Sequence, residues 1–236
     1  MERWLITGIG RGIAFELARQ LLERGDAVVG TVRSEAAARK LKDLFGAGAA
    51  QRLQILFLDM RDRASIARAA REYTGPLDVV LNSAAVLGPQ RQSTLDTDFE
   101  GFLDAMVVNA LGPLAVMQAF LPHVRHSARP RIVCITSRMG SFSAYPKEDL
   151  VVYQASKAAA NKVVRAMSMT LGPQGIIVLA AHPGLVRTEM SGVRATRSPA
   201  SISPEVSAAG LIKVIDGLTP ADNGRFLDYS GAELGW

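Results

Sequence analysis

Tyr153 and Lys157 stand four residues apart in VVYQASKAAANK, a stretch with helical character. At that spacing both side chains fall on one face of a helix. An ammonium beside a phenol favours the phenolate and draws a pKa that starts near 10 towards the working range. Such a pair can give or take a proton near neutral pH. The pattern is short enough to arise by chance, so its weight depends on what other chemistry the chain brings to it.

A second stretch, TGIGRGIA at 7–14, follows the apolar run WLIT and precedes the helically spaced Ile13, Leu17, Leu21 and Leu22. A glycine loop between a first strand and a first helix is where an open parallel sheet sets phosphates against helix amides. The loop is not G-x-G-x-x-G, because Ile13 stands where the last glycine belongs, and no Gly-Lys-Ser/Thr follows to make a Walker loop. It does fit T-G-x-x-x-G-x-G, with Gly8 and Gly12 in register and Ala14 in the third glycine's place. A turn that serves only chain reversal is the alternative.

Two further groups complete the set. Ser137 comes directly after the apolar run RIVCIT, which places it at the carboxyl end of a strand. With no Ser-His-Asp arrangement in reach of His123, His126 or His182, Ser137 reads as a hydrogen-bond donor and not a nucleophile. In Asn109-Ala-Leu-Gly-Pro113, the proline has no amide to bond the carbonyl of Asn109, so a kink and a free carbonyl able to hold water are expected there. A kink that serves packing alone fits the same residues.

These groups need a frame, and the apolar runs supply one. WLIT, AVVGTV, LQILFL, LDVVLN, RIVCIT and GIIVLAA are apolar almost without alternation, as strands buried on both faces are. Helical spacings lie between them, ending at Gly25, Gly46 and Gly75-Pro76. The order βαβαβαβ predicts a doubly wound parallel sheet with right-handed crossovers. Two longer helices are expected at about 97–124 and 150–172, a helix opened by Ser203-Pro204, and a last strand in RFLDY. The 236 residues suit one α/β domain, and the irregular stretch 182–202 is long enough to expect a functional loop.

Composition narrows the function. At 48% hydrophobic and 21% charged residues the chain is globular. The surplus of 5 positive charges is scattered, with no zinc or RNA-binding signature and no aromatic platform, which argues against nucleic acid. Cys134 is the only cysteine, no basic-then-apolar leader is evident, and no apolar run approaches the roughly 18 to 20 residues of a bilayer span. A cytoplasmic protein with no membrane contact and no metal is the expectation.

In this order and in these places the motifs resemble the compact form of the short-chain dehydrogenase/reductase family, over essentially the whole chain. That family's N-N-A-G strand-end motif stands here as Asn82-Ser-Ala-Ala85 and its proline-glycine turn as His182-Pro-Gly-Leu-Val-Arg-Thr188. The tail VIDGLTPADNGRFLDYSGAELGW is similar to the subgroup of sniffer-type carbonyl reductases and C-factor signalling proteins. Ala14 and Ala85 depart from the family's glycines.

The resemblance implies a single NAD(P)-binding Rossmann domain over 1–236, with a seven-stranded parallel sheet and a substrate loop at about 183–203. It implies a catalytic tetrad of Asn109, Ser137, Tyr153 and Lys157 that reduces an aldehyde or ketone by hydride transfer. Tyr153 would be the acid, Ser137 the oxyanion donor, Lys157 the ribose anchor, and a water at Asn109 the proton source. Cofactor contacts would come from Gly8, Gly10, Arg11, Gly12, Ile13, Arg33, Asp59, Met60, Asn82, Tyr153, Lys157, Pro183, Gly184, Val186 and Thr188. An acid would favour NAD(H) at the end of the second strand, but Arg33 stands there, and with Arg11 it suits the 2′-phosphate of NADP(H). Met139, Phe142, Tyr145, Leu185, Met190 and Trp236 are candidate pocket residues, with Arg194 and Arg197 as candidate attractors of an acidic substrate. A homodimer or homotetramer through the two long helices is implied, and a C-factor-like signalling role is the alternative to catalysis.

Overall fold

The computed structural model describes residues 1–46, 48, 51–145, 150–192, 195 and 197–236. Seven parallel strands form one sheet in the order β3-β2-β1-β4-β5-β6-β7. They are β1 (Arg3–Ile6), β2 (Ala27–Val32), β3 (Leu53–Phe57), β4 (Val79–Asn82), β5 (Arg131–Ile135), β6 (Ile177–His182) and β7 (Phe226–Asp228). The helices are α1 (Gly12–Arg24), α2 (Glu35–Phe45), α3 (Arg63–Glu72), α4 (Phe99–Met106), α5 (Gly112–Val124), α6 (Val151–Leu171) and α7 (Pro204–Asp216). This is the expected doubly wound sheet, and the chain order reverses between β1 and β4, where ligands bind in such folds.

Strand side chains alternate between two cores. Trp4, Ile6, Val133, Ile135 and Leu179 pack under α1, α2 and α7. Leu5, Val80, Ile132, Val178 and Phe226 pack under α3, α5 and α6. Burial on both faces is why these strands read as unbroken apolar runs. The helix signals hold locally: Ala14, Leu17, Ala18 and Leu21 form the buried stripe of α1, and Ser203 caps α7 by accepting the amide of Val206.

The proline effect takes a different form from a simple kink. Residues Val107–Leu111 form a π-helical turn between α4 and α5, just before Pro113. A wider turn absorbs the missing amide within a continuous helical run. That run also corrects the expectation about membrane-length segments: Phe99–Val124 is long and apolar enough to cross a bilayer by length and composition. Half of its most apolar window is buried inside the fold, with Val108, Val116, Met117 and Phe120 in the core under the sheet. Core burial accounts for that half of its apolar character, while Phe99, Leu103 and Leu111 are exposed.

One packing detail sets the height of the glycine loop. Ile9 is fully buried, and its Cδ1 would lie 2.1 Å from a Cβ built on Gly30 in β2. Only a residue without a side chain lets Ile9 lie across that strand. Gly30→Val should therefore cost about 1–3 kcal/mol through overpacking, measured by urea unfolding, and Ile9→Ala in the same chain should return part of it. An unchanged midpoint for Gly30→Val would refute the contact.

Candidate active site

The glycine loop is pinned to both neighbouring strands. The Thr7 hydroxyl accepts the amides of Ser83 at 2.9 Å and Ala84 at 3.1 Å, while the amide of Gly8 donates to Thr31 Oγ1 at 3.1 Å. Gly8 has φ +78° and a Cβ there would meet Ala84 Cβ at 3.0 Å, so the loop touches the Asn82-Ala85 strand end at that point. Behind it α1 starts with Arg11 at the cap, no side chain bonded to its first amides and no acid in its first turn. A helix start of this kind offers free N–H groups and positive potential to an anion.

These elements open on a cleft of about 880 Å³ along the carboxyl ends of the strands. Gly8, Gly10, Arg11, Gly12, Ile13, Arg33, Asp59, Met60, Tyr153, Lys157, Pro183 and Thr188 all line it. Gly184 and Val186 do not: Gly184 turns with φ +87°, and Val186 is buried and bridges Ile202. Asn82 also stays off the wall, buried with both amide atoms unpartnered among the described residues. Ala14 lines the cleft and packs in the core beneath it, and Ala85 also lines the cleft.

Tyr153 and Lys157 line one end, and Ser137 stands buried beside Tyr153, off the cleft wall. Gly140 makes this possible, because a Cβ there would sit 2.5 Å from the backbone carbon of Lys157. The turn after Ser137 and helix α6 thus touch backbone to backbone. The Ser137 hydroxyl accepts the amide of Met139 and hydrogen-bonds the Tyr153 hydroxyl. Lys157 is buried, donates to the Ile135 carbonyl at 3.0 Å, and stands 5.7 Å from the Tyr153 ring centroid.

This geometry corrects the expected acidity of the phenol. Tyr153 is half-buried, and desolvation by the surrounding protein pushes its pKa up to about 12, with the Ser137 hydrogen bond opposing. Burial likewise holds Lys157 below the ordinary lysine range, with Cys134 opposing. The ammonium is tied to a main-chain carbonyl over the ring, so it does not offset the cost of placing a phenolate in this setting.

Asn109 lies one layer back. Its side chain clamps Val86 from both sides, accepting its amide at 2.9 Å and donating to its carbonyl at 2.8 Å. It also donates to Ser156 Oγ at 2.9 Å, and Ser156 in turn donates to the Tyr153 carbonyl at 2.8 Å. Thr7, Thr31 and Ser156 escaped the sequence reading because nothing marks which hydroxyls face a loop. His123 bonds the Gly75 and Ala70 carbonyls, and His182 is pushed down to about 4 by burial, so neither serves as a base to Ser137.

The loop after β6 leans back over the cleft. Arg187 donates to the Ser201 carbonyl at 2.8 Å, and Glu189 forms an ion pair with Arg11. Met190 lines the cleft, but Phe142 is 90% exposed and Leu185 and Trp236 are more than one-third exposed. Arg194 lies outside the described residues, and Arg197 is exposed.

The sequence profile described as short chain dehydrogenase matches residues 2–198. The C-signal protein of Myxococcus xanthus is 44% identical over 163 residues, 69% of this chain and 95% of that one. The structure described as the carbonyl reductase Sniffer of D. melanogaster has a TM-score of 0.90 at 26% identity, covering all of both chains. The NADPH-bound carbonyl reductase from chicken fatty liver also has a TM-score of 0.90, at 28% identity, covering 100% of this chain and 99% of that one.

The phenol's acidity gives a direct measurement. In ultraviolet titration of the cofactor-free protein, Tyr153 should ionise near pH 12 and not at its ordinary value of 10.0. A raised folded value means that its contribution to stability is full below about pH 10 and lost as pH rises through about 12. Tyr153→Phe should flatten the alkaline loss of stability over that window. A tyrosine step below about pH 9 that vanishes in Tyr153→Phe would contradict this.

Proposed function

The chain belongs to the short-chain dehydrogenase family and is an oxidoreductase, and from that premise we propose that it reduces the carbonyl of a small aldehyde or ketone with NADPH. The observation that carries this reading is that Tyr153, hydrogen-bonded by the buried Ser137, and Lys157 line the end of a cleft that starts on the amides of α1. The free helix amides, the side-chain-free Gly10 with nothing within 4 Å of a Cβ, and the unpartnered Asn82 fit a dinucleotide laid along the cleft. Gly8, Gly12 and Ile13 would hold the pyrophosphate, Asp59 and Met60 the adenosine, and Lys157, Pro183 and Thr188 the nicotinamide riboside. Bound there, the cofactor supplies a hydride.

The chain's own residues handle the proton and the developing charge. A phenol that stays protonated at neutral pH is a competent acid toward an alkoxide, which is far more basic, and Tyr153 is such a phenol. Ser137 donates to the same oxygen as charge builds on it. Lys157 uses one N–H on the Ile135 carbonyl, and its other two have no partner among the described residues, so they are free to hold ribose hydroxyls. The Asn109 carbonyl, relieved of an α-helical partner by Pro113, would hold the water that reprotonates Tyr153.

Preference for NADPH rests on Arg33. It is exposed at the end of β2, lines the cleft, and has no ion-pair partner among the described residues. Arg11 also lines the cleft but is engaged by Glu189, so its contribution requires that pair to open. The NADPH-bound chicken carbonyl reductase supports this choice.

The loop at 183–203 would serve the substrate, and a homodimer or homotetramer would form through the two long helical runs, 99–124 and α6, where Phe99, Leu103, Leu111 and Met169 are exposed. The 44% identity to C-signal favours intercellular signalling as a second reading.

A screen of aldehydes, ketones and quinones for NADPH oxidation, with para-nitrobenzaldehyde as reference, tests the catalytic reading. Tyr153→Phe should lower kcat by about 100- to 10,000-fold while NADPH affinity changes by less than about threefold. Full turnover in that variant would sink the mechanism, and no tyrosine-dependent turnover across the panel would favour signalling. Arg33→Ala should weaken NADPH binding by about tenfold and leave NADH binding unchanged. Equal losses for both cofactors would remove Arg33 from the 2′-phosphate site.

A further inference from the structure

Helix α6 carries Tyr153 in its first turn, yet its N-cap residue provides no side-chain cap. The residue before it, Leu150, has φ +54° and ψ +49°, and its side chain makes no capping hydrogen bond. It is the one non-glycine residue with positive φ among the described residues. The first amides of a helix have no partner within it and must find one elsewhere.

They find it on Gln92, in the loop between β4 and α4. The Gln92 carbonyl accepts the amide of Val151 at 3.1 Å, and its side-chain Oε1 accepts the amide of Tyr153 at 3.1 Å. One residue, about sixty positions away in sequence, thus satisfies the first and third amides of the helix. The side chain is 5% exposed and is itself fixed, since Nε2 donates to the Pro89 carbonyl at 2.6 Å and the Leu87 carbonyl at 3.3 Å. Gly88 tightens the same contact, because a Cβ there would meet Val152 Cγ1 at 3.1 Å.

We propose that Gln92 is a positioning residue for catalysis: it is the N-cap of α6, supplied from another loop, and it fixes where Tyr153 stands relative to Ser137. The inference rests on Tyr153 being the acid. Tyr153 is then held at both of its main-chain groups, its amide by Gln92 and its carbonyl by Ser156, which Asn109 holds in turn. Asn109 also clamps Val86, where the loop that carries Gln92 begins. A displacement of about an ångström at an acid can cost on the order of a hundredfold in rate, so this cap acts on kcat and leaves the pyrophosphate end of the nucleotide site, on the glycine loop, unchanged.

The test pairs Gln92→Leu, which removes acceptor and donors, with Gln92→Glu, which keeps the acceptor and, when protonated, a donor to Pro89. With para-nitrobenzaldehyde and NADPH, Gln92→Leu should lower kcat by about 10- to 100-fold, with KM and NADPH affinity within about twofold. Exchange of the amides in 150–157, followed by mass spectrometry without any substrate, should be faster. For Gln92→Glu the ratio of kcat to that of the wild type should rise as pH falls from about 8 to about 6, because a buried glutamate takes up its proton in that range. Wild-type kcat in Gln92→Leu, unchanged amide exchange, or a Gln92→Glu as impaired as Gln92→Leu at every pH would overturn the proposal. Should Tyr153→Phe retain turnover, the catalytic reading of Tyr153 fails instead, and the exchange result still decides whether Gln92 caps the helix.

Discussion

The backbone contact between Gly140 and Lys157 governs the rest of the site. A side chain at Gly140 would occupy the position of the α6 main chain. Its absence lets the turn after β5 and the helix carrying Tyr153 and Lys157 approach closely enough for Ser137 to reach the phenol. The contact also buries Lys157 against the Ile135 carbonyl, which sets the unusual protonation balance of both titratable groups. Position and acidity therefore have one source, the close approach of two main chains.

Around that contact, polar side chains are spent on main-chain groups. Thr7 and Thr31 fasten the glycine loop to β4 and β2, Asn109 clamps Val86, and Gln92 caps α6. Buried backbone amides and carbonyls need partners, and each of these bonds also locates an element that faces the cleft. The glycine loop and the Ser137-Tyr153-Lys157 group thus meet through loops anchored on a rigid sheet, which is how preorganised sites are built. The ion pair of Arg11 with Glu189 spans the same cleft from the surface and, with both groups well exposed, contributes little stability.

Much of the frame was legible before any coordinates. Unbroken apolar runs mark strands buried on both faces, and Gly25 and Ser203 mark helix ends because their local geometry needs few neighbours. The gathering of Gly8, Gly12, Tyr153 and Lys157 at one cleft followed from placing each at the carboxyl end of a parallel strand or on the helix packed there. Less legible were Gly184 and Val186, which sit beside cleft residues yet face away, and the long run 99–124, whose mean hydropathy is raised by core packing.

The sequence by itself determined the order of elements, the sheet's parallel sense and the chemical types at its carboxyl edge, because periodicity and helix termini are set by near neighbours along the chain. Tertiary structure alone decided that burial raises the Tyr153 pKa where the spacing predicted a lowered one, since burial and the orientation of Lys157 depend on how α6 meets β5. It alone decided that Pro113 gives a π turn, that Arg11 is engaged across the cleft, and that Gln92 ends a helix about sixty residues away. Each is a contact between distant segments, and its energy depends on distance and solvent exclusion that no local pattern encodes.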